Sequence, residues 1–225
     1  MKSKLLTKIK ELELFASKCE QHLDLKYPIE YLQRAKVRAF IAKDKSMIGG
    51  YVLAFEGPFR VIESLPDSVI ASSPWTKSEV LDQCYEVTGL WLDKKVVSKS
   101  TNFLFWATMY RDMIFNNKKY FVYAYDLEKS YLKKLYSIVN PQVIYEGETK
   151  VMAGMKTACK ESVEVASVNY IRFGIIYGWD YFAKKLVLPR GISNKYGFLT
   201  LGKYSQQLNF FNNKIPVPSE EKKLV

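Results

Sequence analysis

The sequence predicts an α/β domain (α+β in its finer arrangement) with a mixed central sheet flanked by helices. Three observations carry this. From Cys84 to Gly147 the chain reads as strand, turn, helix, strand, helix, strand, an alternation that asks for parallel pairing at the centre of a sheet. Upstream, an amphipathic stretch leads into two strand-like runs separated by a short turn. Downstream, two further strand-like runs are followed by an extension rich in aliphatic and aromatic residues. With 225 residues, 48% of them hydrophobic, the chain suits one domain with a substantial extension and a sizeable core.

The elements follow in order. From Lys2 to Gln21, Leu5, Ile9, Leu12, Ala16 and Cys19 recur at helical spacing, with lysines and glutamates between them. Cys19 lies on that stripe and reads as core. His22, the lone histidine, has no Ser or Cys partner in sequence and reads as a titratable surface group. Pro28 suits the first turn of a second, short helix. Val37–Ala42 and Met47–Phe55 form a hairpin about Lys43-Asp44-Lys45-Ser46, and Gly49-Gly50 marks a bulge or a close backbone approach. Residues 57–75 form a long turn-rich connection.

Cys84–Leu92 is the next strand, and Lys94–Thr101 a basic, Ser-rich turn. The helix over 102–115 is expected to bury Phe103, Ala107, Tyr110 and Ile114, leaving Thr108, Arg111 and Asp112 outside. Tyr120–Tyr125 is a strand. Asp126 then caps a helix over 127–139, which Asn140-Pro141 ends. Gln142–Tyr145 is a third strand. Residues 151–157 and 162–168 suit a closing hairpin, and Ile171 to Lys185 shows helical spacing. The expected division is a core over 1–168, with helices over 2–34 and the sheet from 36. A helical and aromatic extension over 169–214 packs on it, and 215–225 forms a disordered tail.

The formal charge of +11 points to an anionic partner or to solvated lysines. The lysines are dispersed and match no nucleic-acid motif, so nucleic acid is disfavoured. Cys19, Cys84 and Cys159 are widely spaced, giving neither a disulfide framework nor a metal-ligand set, and they suit a reducing compartment. No apolar run spans a bilayer. A cytoplasmic protein is expected.

The order of elements over about residues 36–147 resembles the GNAT superfamily of N-acyltransferases. Within it, the run Glu86-Val87-Thr88-Gly89 is most similar to the branch that makes N-acyl amino acids and acyl-homoserine lactones. Lactone synthesis fits less well: Arg34 and Phe40 are present, but no tryptophan precedes Trp75. The resemblance implies a thioester co-substrate carrying phosphopantetheine, as acyl-CoA or acyl carrier protein, and an amine-bearing small molecule or peptide as acceptor, with no metal. It also implies roles. Lys95, Val96, Val97, Ser98, Lys99, Ser100 and Thr101 occupy the family's pyrophosphate turn, although lysine replaces its Gln or Arg and serines replace both glycines. The same residues also suit a plain helix cap. Leu135-Tyr136 matches a Leu-Tyr helix end whose tyrosine protonates the departing thiolate. Glu86 is the amine's base. Two other readings stand beside this one: a basic nucleic-acid binder, and a degenerate GNAT fold that binds a thioester or a partner without catalysis.

Overall fold

A computed structural model describes residues 1–93, 98–129, 132–133 and 136–177, the side chains of Ile138 and 173–177 excepted. Among them seven strands form one sheet in the order β1-β2-β3-β4-β5-β7-β6.

The amino terminus departs from expectation. Lys2–Leu6 is an edge strand, β1, antiparallel to β2 (Lys36–Ile41). The first helix, α1, starts only at Ile9 and runs to Leu23. Its buried stripe is Leu12, Phe15, Ala16 and Cys19, whereas Leu5 and Ile9 stay exposed. The Leu and Lys residues of the strand happen to continue the helix's spacing, so periodicity alone cannot separate the two. Burial pushes the Cys19 thiol up to about 12, as suits a core cysteine. His22 is exposed and stacks on Trp91, ring centres 4.3 Å apart.

Helix α2 (Ile29–Gln33) follows Pro28. β2 and β3 (Met47–Ala54) form the expected hairpin, and Asp44 Oδ1 accepts from the Ser46 amide in its turn. Gly50 is a close approach: a Cβ there would lie 2.5 Å from Phe15 Cε2 and 2.6 Å from the Arg38 carbonyl oxygen. The connection after β3 is not irregular. It folds into three short helices, α3 (Arg60–Glu63), α4 (Asp67–Ser72) and α5 (Ser78–Leu81).

β4 (Cys84–Leu92), α6 (Lys99–Ile114) and β5 (Tyr120–Asp126) form the parallel crossover the alternation predicts. α6 is rotated from the expected setting. It buries Phe105, Thr108, Met109, Asp112 and Met113, while Phe103 is exposed. Asp112 turns inward because its charge is met there: Arg38 Nε donates to Oδ2 at 2.6 Å, the Tyr51 hydroxyl at 2.9 Å, and Lys36 Nζ lies 3.2 Å from Oδ1. After β5, Asp126 Oδ1 accepts from the Glu128 amide, as a cap does. Tyr131 and Leu135 of the helix expected over 127–139 lie outside the described residues; Ser137–Val139 is a 3₁₀ turn ending at Asn140, φ 46°.

β6 (Gln142–Glu148) does not join β5. β7 (Lys160–Ser167) inserts between them, antiparallel to both. The closing hairpin is therefore β6–β7, not 151–157 with 162–168. Residues 151–157 lie in its loop, which the Lys26 amide ties back by donating to the Gly154 carbonyl. The next helix, α7 (Val168–Tyr177), starts three residues earlier than expected and buries Ile171. The rest of the 169–214 extension and the 215–225 tail lie outside the described residues.

Two cores flank the sheet. One packs α1, α2 and the short helices on Val37, Val52, Cys84, Val122, Val163 and their neighbours. The other packs α6 and α7 on Tyr51, Tyr85, Val87, Phe121, Tyr123 and Tyr125. No helix among the described residues is long and apolar enough to cross a membrane.

Candidate active site

The parallel ladder between β4 and β5 is short. It pairs Cys84 with Tyr120, Tyr85 with Phe121 and Glu86 with Val122, and stops there, although β4 continues to Leu92 and β5 to Asp126. The strands therefore part just beyond Glu86. A bulge accompanies the parting. Between the Val52–Thr88 and Gly50–Trp91 pairs, β4 carries one residue more than β3, and Gly89 takes φ 61°. A bulge bends and twists its strand, and glycine accepts that left-handed conformation without strain.

Glu86 stands at the apex of this gap, fully buried. Strand alternation sets it with Cys84 on the α1/α2 face, opposite Tyr85 and Val87. The Arg60 amide donates to Oε2 at 2.8 Å, while Oε1 has no hydrogen-bond partner. Burial raises the carboxyl to about 7, against the hydrogen bonds and the Arg60 charge that lower it.

Three residues that sequence reasoning missed enclose Glu86. Tyr27 and Tyr31 stack with ring centres 5.8 Å apart, and the Arg60 guanidinium lies over both, 5.4 and 5.7 Å from their centres. The hydroxyls of Tyr27 and Thr88 share a 2.7 Å hydrogen bond, and Arg60 Nη2 donates to the Ala153 carbonyl at 2.8 Å. The two tyrosines at i and i+4 across Pro28 were the available signal; Arg60 had none. Beside Tyr27 a cleft of about 540 Å³ opens between α1 and the Ala153-Gly154 turn.

Tyr136 lies against the other face. Half-buried, it packs on the core beneath α6, its ring 4.8 Å from Tyr123 and 5.4 Å from Tyr125. Those two tyrosines donate to the buried Glu164 at 2.6 and 2.9 Å. The structure thus sets Glu86 and Tyr136 on opposite sides of the sheet.

Of the basic turn, Lys95, Val96 and Val97 lie outside the described residues. Ser98 is the N-cap of α6: its Oγ accepts from the Thr101 amide at 3.2 Å and lies 2.9 Å from both Ser100 Oγ and Thr101 Oγ1. Lys99, Ser100 and Thr101 form the helix's first turn. This turn follows the carboxyl end of β4, the end at which the strands have separated.

No family model matches the chain, and no curated protein matches it. Solved structures do match in fold. FeeM, an N-acyl amino acid synthase from uncultured soil microbes, superposes with a TM-score of 0.54 at 10% identity, over 80% of this chain and 97% of that one. Arabidopsis thaliana NAA60, solved in complex with acetyl-CoA, gives 0.50 at 8% identity, over 75% and 98%. A mixed seven-stranded sheet whose two parallel strands part at its centre, with helices on both faces, gives this chain a GNAT-type fold.

Proposed function

We propose that the chain is an N-acyltransferase. It moves an acyl group, a fatty acyl group by preference, from an acyl-CoA or acyl-carrier-protein thioester to an amine of an amino acid, peptide or similar acceptor. One observation carries the reading: a buried carboxylate with a free oxygen stands where two parallel strands separate. The match in fold to an N-acyl amino acid synthase and to a protein holding acetyl-CoA supports it.

The thioester enters the gap between β4 and β5. An amine approaching from the α1/α2 side attacks the carbonyl carbon, and its proton passes to Glu86. An alkylammonium holds its proton until a pH near ~10, so at neutral pH attack needs a proton acceptor. The carbonyl π electrons move onto oxygen and return as the C–S bond breaks. The thiolate leaves toward the opposite face and takes the Tyr136 hydroxyl proton. Lys95 through Thr101 hold the donor's phosphates.

The test is an incubation with long-chain acyl-CoA and a panel of primary amines, read by mass spectrometry. The expected result is an N-acyl product, lost at neutral pH in Glu86→Gln. Tyr136→Phe should slow transfer by about 10²-fold once chemistry limits the rate. Tight donor binding by the wild type with no transfer to any amine would overturn the reading and favour a non-catalytic thioester binder.

A further inference from the structure

Glu164, on β7, is a second buried carboxylate, and the transfer chemistry leaves it unused. It lies directly across from Tyr123 of β5, and Ser162 lies directly across from Tyr125, so all four side chains share the α6 face. Three hydroxyls converge on the carboxylate. Tyr123 donates to Oε2 at 2.6 Å, and Tyr125 and Ser162 donate to Oε1 at 2.9 and 3.1 Å. Taking a carboxylate out of water is costly, and an apolar side chain would fill the same space without that cost. What the carboxylate adds is direction: it pins the hydroxyl ends of two neighbouring rings. Tyr136 packs on those rings, its centre 4.8 Å from that of Tyr123 and 5.4 Å from that of Tyr125. Tyr123 is also the first residue of β5 past its last rung with β4, so the pinned rings border the gap.

We propose that Glu164 is a positioning residue for expulsion of the thiolate: it holds Tyr123 and Tyr125 as the platform that aims Tyr136 into the gap. This rests on the acyl-transfer reading above. Tyr136 immediately precedes a 3₁₀ turn and belongs to no strand, so the rings beneath it set its place. The hydroxyls of Tyr123 and Tyr125 are both given to Glu164. Burial, and then the bond to Glu164, push the Tyr123 hydroxyl well above its ordinary range, so Tyr123 does not compete as an acid. Tyr136 donates instead. The C–S electron pair stays with sulfur, the Tyr136 O–H bond breaks, and its proton bonds to sulfur. Water returns a proton to the half-buried phenolate, while Glu164 gains and loses none. A group that must reach sulfur at hydrogen-bond distance tolerates little misplacement: about 1 Å costs about 10²-fold.

The variants are Glu164→Gln and Tyr123→Phe, each of which keeps the shape at its position and removes a hydroxyl–carboxylate bond. Rates with acyl-CoA would be compared with those for an S-aryl thioester of the same acyl chain, whose weakly basic thiolate leaves without a proton. With acyl-CoA both variants should lower kcat by about tenfold or more at unchanged KM. With the aryl thioester both should match the wild type, whereas a merely loosened fold would slow both donors alike. In a Tyr136→Phe background neither variant should have any further effect. The ring signals of Tyr136, assigned in ¹³C-tyrosine NMR spectra by their loss in Tyr136→Phe, should shift in both variants. Equal losses with the two donors, an unchanged kcat with acyl-CoA, or unmoved Tyr136 signals would overturn the proposal. The NMR arm needs no turnover: a wild type that transfers nothing sinks the acyl-transfer reading, while the ring signals still decide whether Glu164 sets Tyr136.

Discussion

Glu86 pairs with Val122 as the last rung of the parallel ladder between β4 and β5. Beyond that rung β4 and β5 make no further pairs with each other. A carboxyl set at the apex is close to whatever enters the gap, yet sheltered enough by both cores for its proton affinity to move toward neutrality.

That shift gives a pH profile. Only ionised Glu86 accepts a proton, so kcat/KM of the wild type should climb about tenfold per unit below a midpoint near 7 and level off above it. Glu86→Gln should lack this limb and gain rate only as the free amine itself becomes neutral, toward ~10. Initial rates over pH 5–10 check this. Parallel profiles for both proteins would remove Glu86 from the chemistry.

The same shift bears on stability. Burial raises the carboxyl to about 7 in the folded chain, from its ordinary 4.5. Between these values the folded state holds a proton that the unfolded state has released. Stability is therefore greatest below 4.5 on this account and falls as pH rises through 7, by roughly 3 kcal/mol in all. Urea titrations at pH 5 and pH 8 should show that loss in the wild type and not in Glu86→Gln.

Asp112 behaves in the opposite sense. Burial works against its charge, but the hydrogen bonds from Arg38 and Tyr51 and the charges of Arg38 and Lys36 outweigh it and hold the carboxyl below its usual range. Its contribution is present above the unfolded value and is lost as pH falls through the folded one. Asp112→Ala should cost about 3–5 kcal/mol, since it strands Arg38 in a nearly closed site. Lys36→Ala should cost under about 1 kcal/mol, because Lys36 remains 30% exposed. Chemical denaturation of both variants checks the contrast.

How far the sequence could reveal this site depended on which contacts were local. The strand bearing Glu86 and the crossover through α6 were legible, because alternation and helical spacing are written within each element. The face of Glu86 was not. Residues Cys84 to Val87 are buried on both sides, so no polar alternation marks one side as solvent. The setting of α6 was misread for a related reason: Asp112 looks like an outward residue until Arg38 and Tyr51, more than sixty positions earlier, are seen to meet it. Leu5 continued a helical stripe that the edge strand β1 interrupts. Nothing within 142–167 signalled that β7 would insert beside β5, since strand order is set by pairing across the sheet. Arg60 reaches Glu86 through its backbone amide, and an amide carries no residue identity to read.

The basic turn poses the last question, because a helix cap and a phosphate site use the same atoms. The Ser98 hydroxyl already accepts from the Thr101 amide, so it serves the helix. Ser98→Ala should therefore cost about 1 kcal/mol of stability whether or not a donor ever binds. Lys95→Glu is different. If the turn also holds the donor's phosphates, reversing that charge should weaken acyl-CoA binding by about tenfold or more, and the loss should shrink in high salt as the charges are screened. The stability of Lys95→Glu should stay within about 0.5 kcal/mol of the wild type, because Ser98 and not Lys95 makes the helix cap. Calorimetric titration of acyl-CoA into both variants, at low and at high ionic strength, separates the two roles. Donor affinity unchanged in Lys95→Glu, with only Ser98→Ala destabilised, would reduce the turn to a cap and move the phosphate site elsewhere along the gap.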